Sequence, residues 1–102
     1  EVIVYNLLLN SGMQPLYERE LQLGEIIVHP DFTLETKHGT VYWEHLGMLG
    51  NYGYSKDWER KKRLYAEHVI SEETGKLVIS QDDPNGSIDS RAIKRIIDQY
   101  LG

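Results

Sequence analysis

The stretch His29-Pro30-Asp31-Phe32-Thr33-Leu34, followed by Thr40-Val41-Tyr42-Trp43-Glu44-His45-Leu46-Gly47, decides how this chain is read. Its two apolar-aromatic runs flank Glu35-Thr36-Lys37-His38-Gly39, a polar loop ending in glycine, which is the pattern of a β-hairpin. Side chains alternate along a strand, so Tyr42, Glu44 and Leu46 share one face. A turn centred near Lys37 and His38 sets Asp31 opposite Glu44, with Cβ atoms roughly 4.5–5.5 Å apart. A bulge at Gly39 would slip that register by one residue. Two carboxylates this close repel unless a cation or a proton lies between them, and an oxygen-rich pair suits Mg²⁺. The ordinary fate of hairpin acids is solvation at the surface. Here both stand among Phe32, Leu34, Val41, Tyr42, Trp43 and Leu46, company in which a carboxylate is often kept for chemistry.

The 102 residues make one small domain, with a hydrophobic fraction of 40% and a charged fraction of 26%, the balance of a globular protein. No apolar run reaches membrane-spanning length. The opening residues Glu1-Val2-Ile3-Val4 carry no basic region, and the expectation is a fragment of a larger chain. With no cysteine there are no disulfides, which fits a cytoplasmic protein. The net charge of −5 is the wrong sign for a free-standing, tight DNA binder. Charge is uneven, however: Lys56-Asp57-Trp58-Glu59-Arg60-Lys61-Lys62-Arg63 holds five cations against two anions.

Residues 1–10 read as a mostly buried helix stopped by Gly12. Residues 16–21 read as the first strand, with Gln22-Leu23-Gly24 as a turn. Residues 25–28 lead into Pro30, which removes a ladder donor. After the hairpin, glycines 47, 50 and 53 are too irregular for a phosphate loop. A helix spans about 54–68, with Tyr54, Trp58, Lys61 or Lys62, Tyr65 and Val69 on one stripe. Lysines in such a run are usually solvated, their stems covering the aromatic ring. Residues 77–80 form a short strand, residues 87–90 a helix cap, and Ala92, Ile93, Ile96, Ile97, Tyr100 and Leu101 the apolar face of a terminal helix. The acids of residues 81–87 lack the glycine and terminal glutamate of a calcium loop. The four histidines match no zinc spacing, and His45, facing away from Glu44, reads as a structural hydrogen-bonding residue. The fold class is therefore α/β (α+β): a mixed sheet of about four strands with flanking helices.

His29-Pro30-Asp31-Phe32 with Tyr42-Trp43-Glu44-His45-Leu46-Gly47-Met48 resembles the PD-(D/E)XK nuclease superfamily, and within it the small nuclease-like domain attached to superfamily I DNA helicases. The shared pattern is Pro-Asp, a hairpin, Trp-Glu-His-Leu-Gly, then a helix carrying Trp, Lys and Tyr, and it covers nearly the whole chain. The resemblance implies a restriction-endonuclease-like core and Mg²⁺, or Mn²⁺ in its place, held by Asp31, Glu44 and the backbone carbonyl of His45. It implies DNA as substrate, and a helicase domain in the same chain or complex as partner. The superfamily's lysine two residues after the second acid is absent, since Leu46 stands there. The resemblance then points to Lys61 on the following helix as the catalytic cation, with Lys62 its neighbour. Arg60, Lys62 and Arg63 would contact phosphates. A first-helix glutamate in the family points at the active site, and Glu1 holds that place; its plain alternative is a solvated N-terminal acid. The expected function is a metal-dependent DNA nuclease in a helicase or DNA-repair protein. The alternative, favoured by Leu46 and the acidic charge, is a weak or inactive nuclease-fold module that binds DNA or a protein partner.

Overall fold

A computed structural model of the chain describes residues 2–37, 39–47, 52–82 and 89–101. The elements in order are α1 (Val2–Asn10), β1 (Leu16–Tyr17), β2 (Leu21–Leu23), β3 (Ile26–Val28), β4 (Phe32–Thr36), β5 (Gly39–Leu46), α2 (Tyr52–Glu67), β6 (Leu77–Gln81) and α3 (Ser90–Leu101). Strands β1-β4-β5-β6 form a four-stranded mixed sheet, and β2-β3 a separate hairpin. β4 and β5 pair antiparallel, while β5 and β6 pair parallel with α2 as the crossover. Among the described residues no helix is long and apolar enough to cross a membrane.

The alternation of the strands divides the core in two. Phe32, Leu34, Val41, Trp43 and Val78 face α1 and α3, meeting Val4, Leu8, Ile93 and Ile97. The opposite face carries Leu77, which packs with Tyr65 of α2, Leu23 of the small hairpin, and Ile70. That second face also receives Glu44, between Trp43 and His45, which point the other way.

The first strand is shorter than its alternating sequence predicts. Glu18 takes φ 50 and its N–H donates to the carbonyl of Asp31, so the chain turns after two residues. Residues 21–23, expected to include a turn, form strand β2 instead. The turn is Gly24-Glu25, where Gly24 supplies φ 64 between Leu23 and Ile26. The cap of α3 is Asp89, whose Oδ1 accepts from the N–H groups of Arg91 and Ala92. Asp89 lies within residues 87–90, where the cap is expected; residues 87 and 88 lie outside the described residues.

Helices α1 and α2 end alike. After α1 the N–H of Met13 reaches Leu8 O and that of Gly12 reaches Leu9 O, with Gly12 at φ 86. After α2 the N–H of Ile70 reaches Tyr65 O and that of Val69 reaches Ala66 O. Both are Schellman closures, and the second seals Ile70 against Tyr65 in the core. Its left-handed position is held by Val69, at φ 62 and 61% exposed. Val69 thus belongs to the cap, not to the apolar stripe of α2, because the helix has already turned back. A β-branched residue is strained there, by about 1–2 kcal/mol. Val69→Gly is therefore expected to raise unfolding stability by about 1 kcal/mol in urea titration, with the packing of the buried core unchanged.

Candidate active site

The hairpin pairs Phe32 with Trp43 and Thr33 with Tyr42, with no bulge slipping the register. One step further along, Asp31 stands opposite Glu44. Each carboxylate is held by a main-chain N–H of the opposite strand. Asp31 N–H donates to Glu44 Oε1 at 3.3 Å, and His45 N–H donates to Asp31 Oδ2 at 2.7 Å. The His45 carbonyl points to the same strand side as its N–H. Pro30 stands opposite it in register and has no N–H to offer it.

Glu44 is only 3% exposed, so its charge needs partners. Both come from α2. Lys61 and Tyr65 are four residues apart, one above the other on the same helix face. Lys61 Nζ lies 2.5 Å from Glu44 Oε2, and Tyr65 OH donates to the same oxygen at 2.6 Å. Lys61 Nζ also donates to His29 O at 3.2 Å, which links the helix to the segment before Asp31. Burial, and then the nearby Glu44 carboxylate, push the Tyr65 phenol far above its ordinary range. Tyr65 therefore remains a hydrogen donor wherever the fold survives.

Asp31, Glu44 and Lys61 open on one cavity of about 350 Å³, completed by Leu46, Tyr54, Asp57 and Trp58. Two larger cavities, of about 490 and 560 Å³, lie elsewhere along α2. Neither contains Asp31 or Glu44, so chemistry rather than size selects the site. Lys62 is exposed and lines the first of these, so of the two lysines Lys61 is the one brought to the acids. Arg60 and Arg63 are likewise exposed and line the second, and Arg60 lies 3.8 Å from Asp57. Glu1 lies outside the described residues. Among those residues no three His, Cys, Asp or Glu side chains gather as an ion site. The available donors are two carboxylates and a carbonyl, all oxygen. This set fits Mg²⁺, which commonly binds one or two carboxylates and keeps several waters.

The side chain of His45 is held on the other sheet face. Its Nδ1 is 2.7 Å from Ser80 Oγ and its Nε2 is 2.7 Å from Asp82 Oδ1. Trp43 Nε1 can only donate, and does so to Ser80 Oγ at 2.8 Å. In a neutral ring the Asp82 carboxylate, which can only accept, takes the hydrogen on Nε2, and Nδ1 then accepts from the Ser80 hydroxyl. Gly47 admits this arrangement, since a Cβ there would come within 3.1 Å of Asp82 Oδ2.

No family model matches the chain, and no solved structure matches it. It is 38% identical over 69 residues to "Uncharacterized protein MJ1519" of Methanocaldococcus jannaschii, a match covering 67% of this chain. The chain spans about 6% of that protein's length.

Sequence reasoning missed one member of the site, Tyr65, and one residue that braces the strand end behind it, Asp82. Tyr65 reads as a packing anchor, although its four-residue spacing from Lys61 is the signal that both reach one acceptor. Asp82 reads as a loop acid; its partner is distant in sequence and brought near by the parallel pairing of His45 with Ser80.

Tyr65→Phe is expected to cost about 1.5–3 kcal/mol, the worth of a hydrogen bond to a charged group. The unfolded phenol ionises near pH 10, whereas the folded one keeps its proton. Its stabilising contribution is full below that pH and falls above it, by about 1.4 kcal/mol per pH unit. The burial-raised phenol of Tyr42 adds to this fall. Urea unfolding across alkaline pH should show a shallower decline in Tyr65→Phe than in the parent chain.

Proposed function

We propose that the chain is a metal-dependent DNA nuclease domain. The observation that carries this reading is the opening of Asp31, Glu44 and Lys61 onto one cavity. Asp31 and Glu44, with the His45 carbonyl, would hold Mg²⁺ or Mn²⁺. Such an ion supplies a water of lowered pKa and neutralises charge on the phosphate. The protein's own contribution is orientation. Glu44 Oε2 is fixed by Tyr65 and Lys61, while the Asp31 N–H holds Oε1 and the His45 N–H holds Asp31 Oδ2. Lys61, its side chain 28% exposed, is reached from the cavity and would donate to the phosphate as charge develops. The exposed Arg60, Lys62 and Arg63 would hold the flanking phosphates.

A restriction-endonuclease-like core accords with the Pro30-Asp31 hairpin, the parallel crossover through α2 and the Glu44 position on β5. A net charge of −5 implies that a neighbouring domain, of helicase type in this reading, brings the DNA. The small share of the archaeal relative that the match occupies suits a module of longer chains. One observation favours the second reading, a binding module with weak or no turnover. The Lys61 ammonium already neutralises Glu44.

Cleavage of labelled DNA with Mg²⁺ or Mn²⁺ separates the two readings. Asp31→Asn and Glu44→Gln should each abolish it, and Lys61→Met should reduce it by about 10²–10³-fold. Lys61→Met also strands a buried carboxylate, at about 3–5 kcal/mol of stability. Divalent ions should therefore raise the melting temperature of Lys61→Met more than that of the parent chain. Absence of cleavage by the parent chain, together with intact binding, would leave only the module reading. Replacing Arg60, Lys62 and Arg63 with Ala should flatten the salt dependence of duplex binding, by about 0.9 in log–log slope for each phosphate no longer neutralised. An unchanged slope would put the DNA path elsewhere.

A further inference from the structure

The cavity of Asp31 and Glu44 has a wall that phosphate chemistry does not require. Helix α2 contributes Tyr54 and Trp58 to it, four residues apart and beside Lys61. Trp58 is half-buried, and part of it packs against the cluster of Tyr65, Ile70 and Leu77. The indole is thus backed by core while also lining a space of about 350 Å³ next to the acids. Aromatic surface fixed in this way suits the flat face of a nucleobase. Inside a duplex both faces of a base are covered by its neighbours, so a base that reaches Trp58 has left the stack.

Lys61 lines this cavity and also the neighbouring one of about 560 Å³, where Arg60, Arg63 and Ile26 stand. A strand leaving the aromatic wall would therefore meet cations for its phosphates. The opposing charges are Glu67 there, and Asp31, Glu44 and Asp57 in the first cavity, Asp57 beside Arg60 and Glu44 paired with Lys61.

We propose that Trp58, with Tyr54, is a stacking platform for the base beside the scissile phosphate, and that the site takes an unpaired strand in preference to continuous duplex. The substrate class rests on the nuclease reading, but the platform is testable without cleavage.

Trp58 is the natural reporter. The protein has two tryptophans, and Trp43 is 1% exposed. A short oligothymidylate, titrated at low salt without divalent ions, should quench the fluorescence. It should also bind about tenfold or more tighter than a blunt DNA hairpin. Trp58→Leu should lose at least about tenfold in affinity for the single strand and leave hairpin affinity unchanged. Trp58→Phe, which keeps an aromatic face and serves if the leucine variant fails to fold, should retain most of the single-strand affinity. Binding without quenching, equal losses for both DNAs, a preference for the hairpin, or no binding of the single strand would each overturn the platform. A Mg²⁺ cleavage assay on the same two DNAs separates the two ideas. Trp58-dependent binding without cleavage would remove the nuclease and keep the platform. Cleavage with no dependence on Trp58 would do the reverse.

Discussion

A carboxylate buried beneath a helix organises this domain. Glu44 is buried on the sheet face that α2 covers, and its charge is compensated from that helix. The ion pair and the phenol bond share one oxygen. The helix is therefore fixed both along its axis and in rotation, since a shift of one residue would withdraw Lys61 and Tyr65 together. Lys61 further ties the helix to the His29 carbonyl, two residues ahead of Asp31. Replacing a buried ion pair by apolar residues often leaves stability unchanged or improves it. Stability alone therefore does not account for its presence here.

The sheet supplies the other half of the constraint. Pro30 and the sharp turn at Glu18 end the strands around Asp31, so the acid sits just off the ladder while keeping its register. Its carboxylate then turns back along the strand to the N–H of His45. The polar residues on the far face, Ser80, His45 and Asp82, fasten the end of β5 to β6.

The hairpin, the facing acids and the inward lysine were legible because each depends on short-range periodicity. Alternation by two fixes which side of a strand Glu44 takes, and spacing by three and four puts Lys61 between Trp58 and Tyr65. What escaped depends on backbone geometry or on distant segments. Alternation continues through Glu18 and Arg19, so the break in the first strand is invisible to it; the left-handed turn of Glu18 is stabilised by a bond to Asp31, thirteen residues on. Val69 looks like one more apolar position in the stripe, because no hydrophobic pattern records that the helix has reversed. Asp82 lies in an acidic stretch that resembles solvated loop, and its pairing with His45 exists only once β6 is docked.

The tie that orients Asp31 is made by the main-chain nitrogen of residue 45, not by the histidine ring. It is therefore silent to ordinary genetics. A scan that replaces every side chain in turn can remove the ring, the serine and the distant aspartate, and it leaves this donor in place. Only proline at that position deletes it. Much of the information that sets the acid's direction is thus held in strand register, where variation in composition at residue 45 does not reach it.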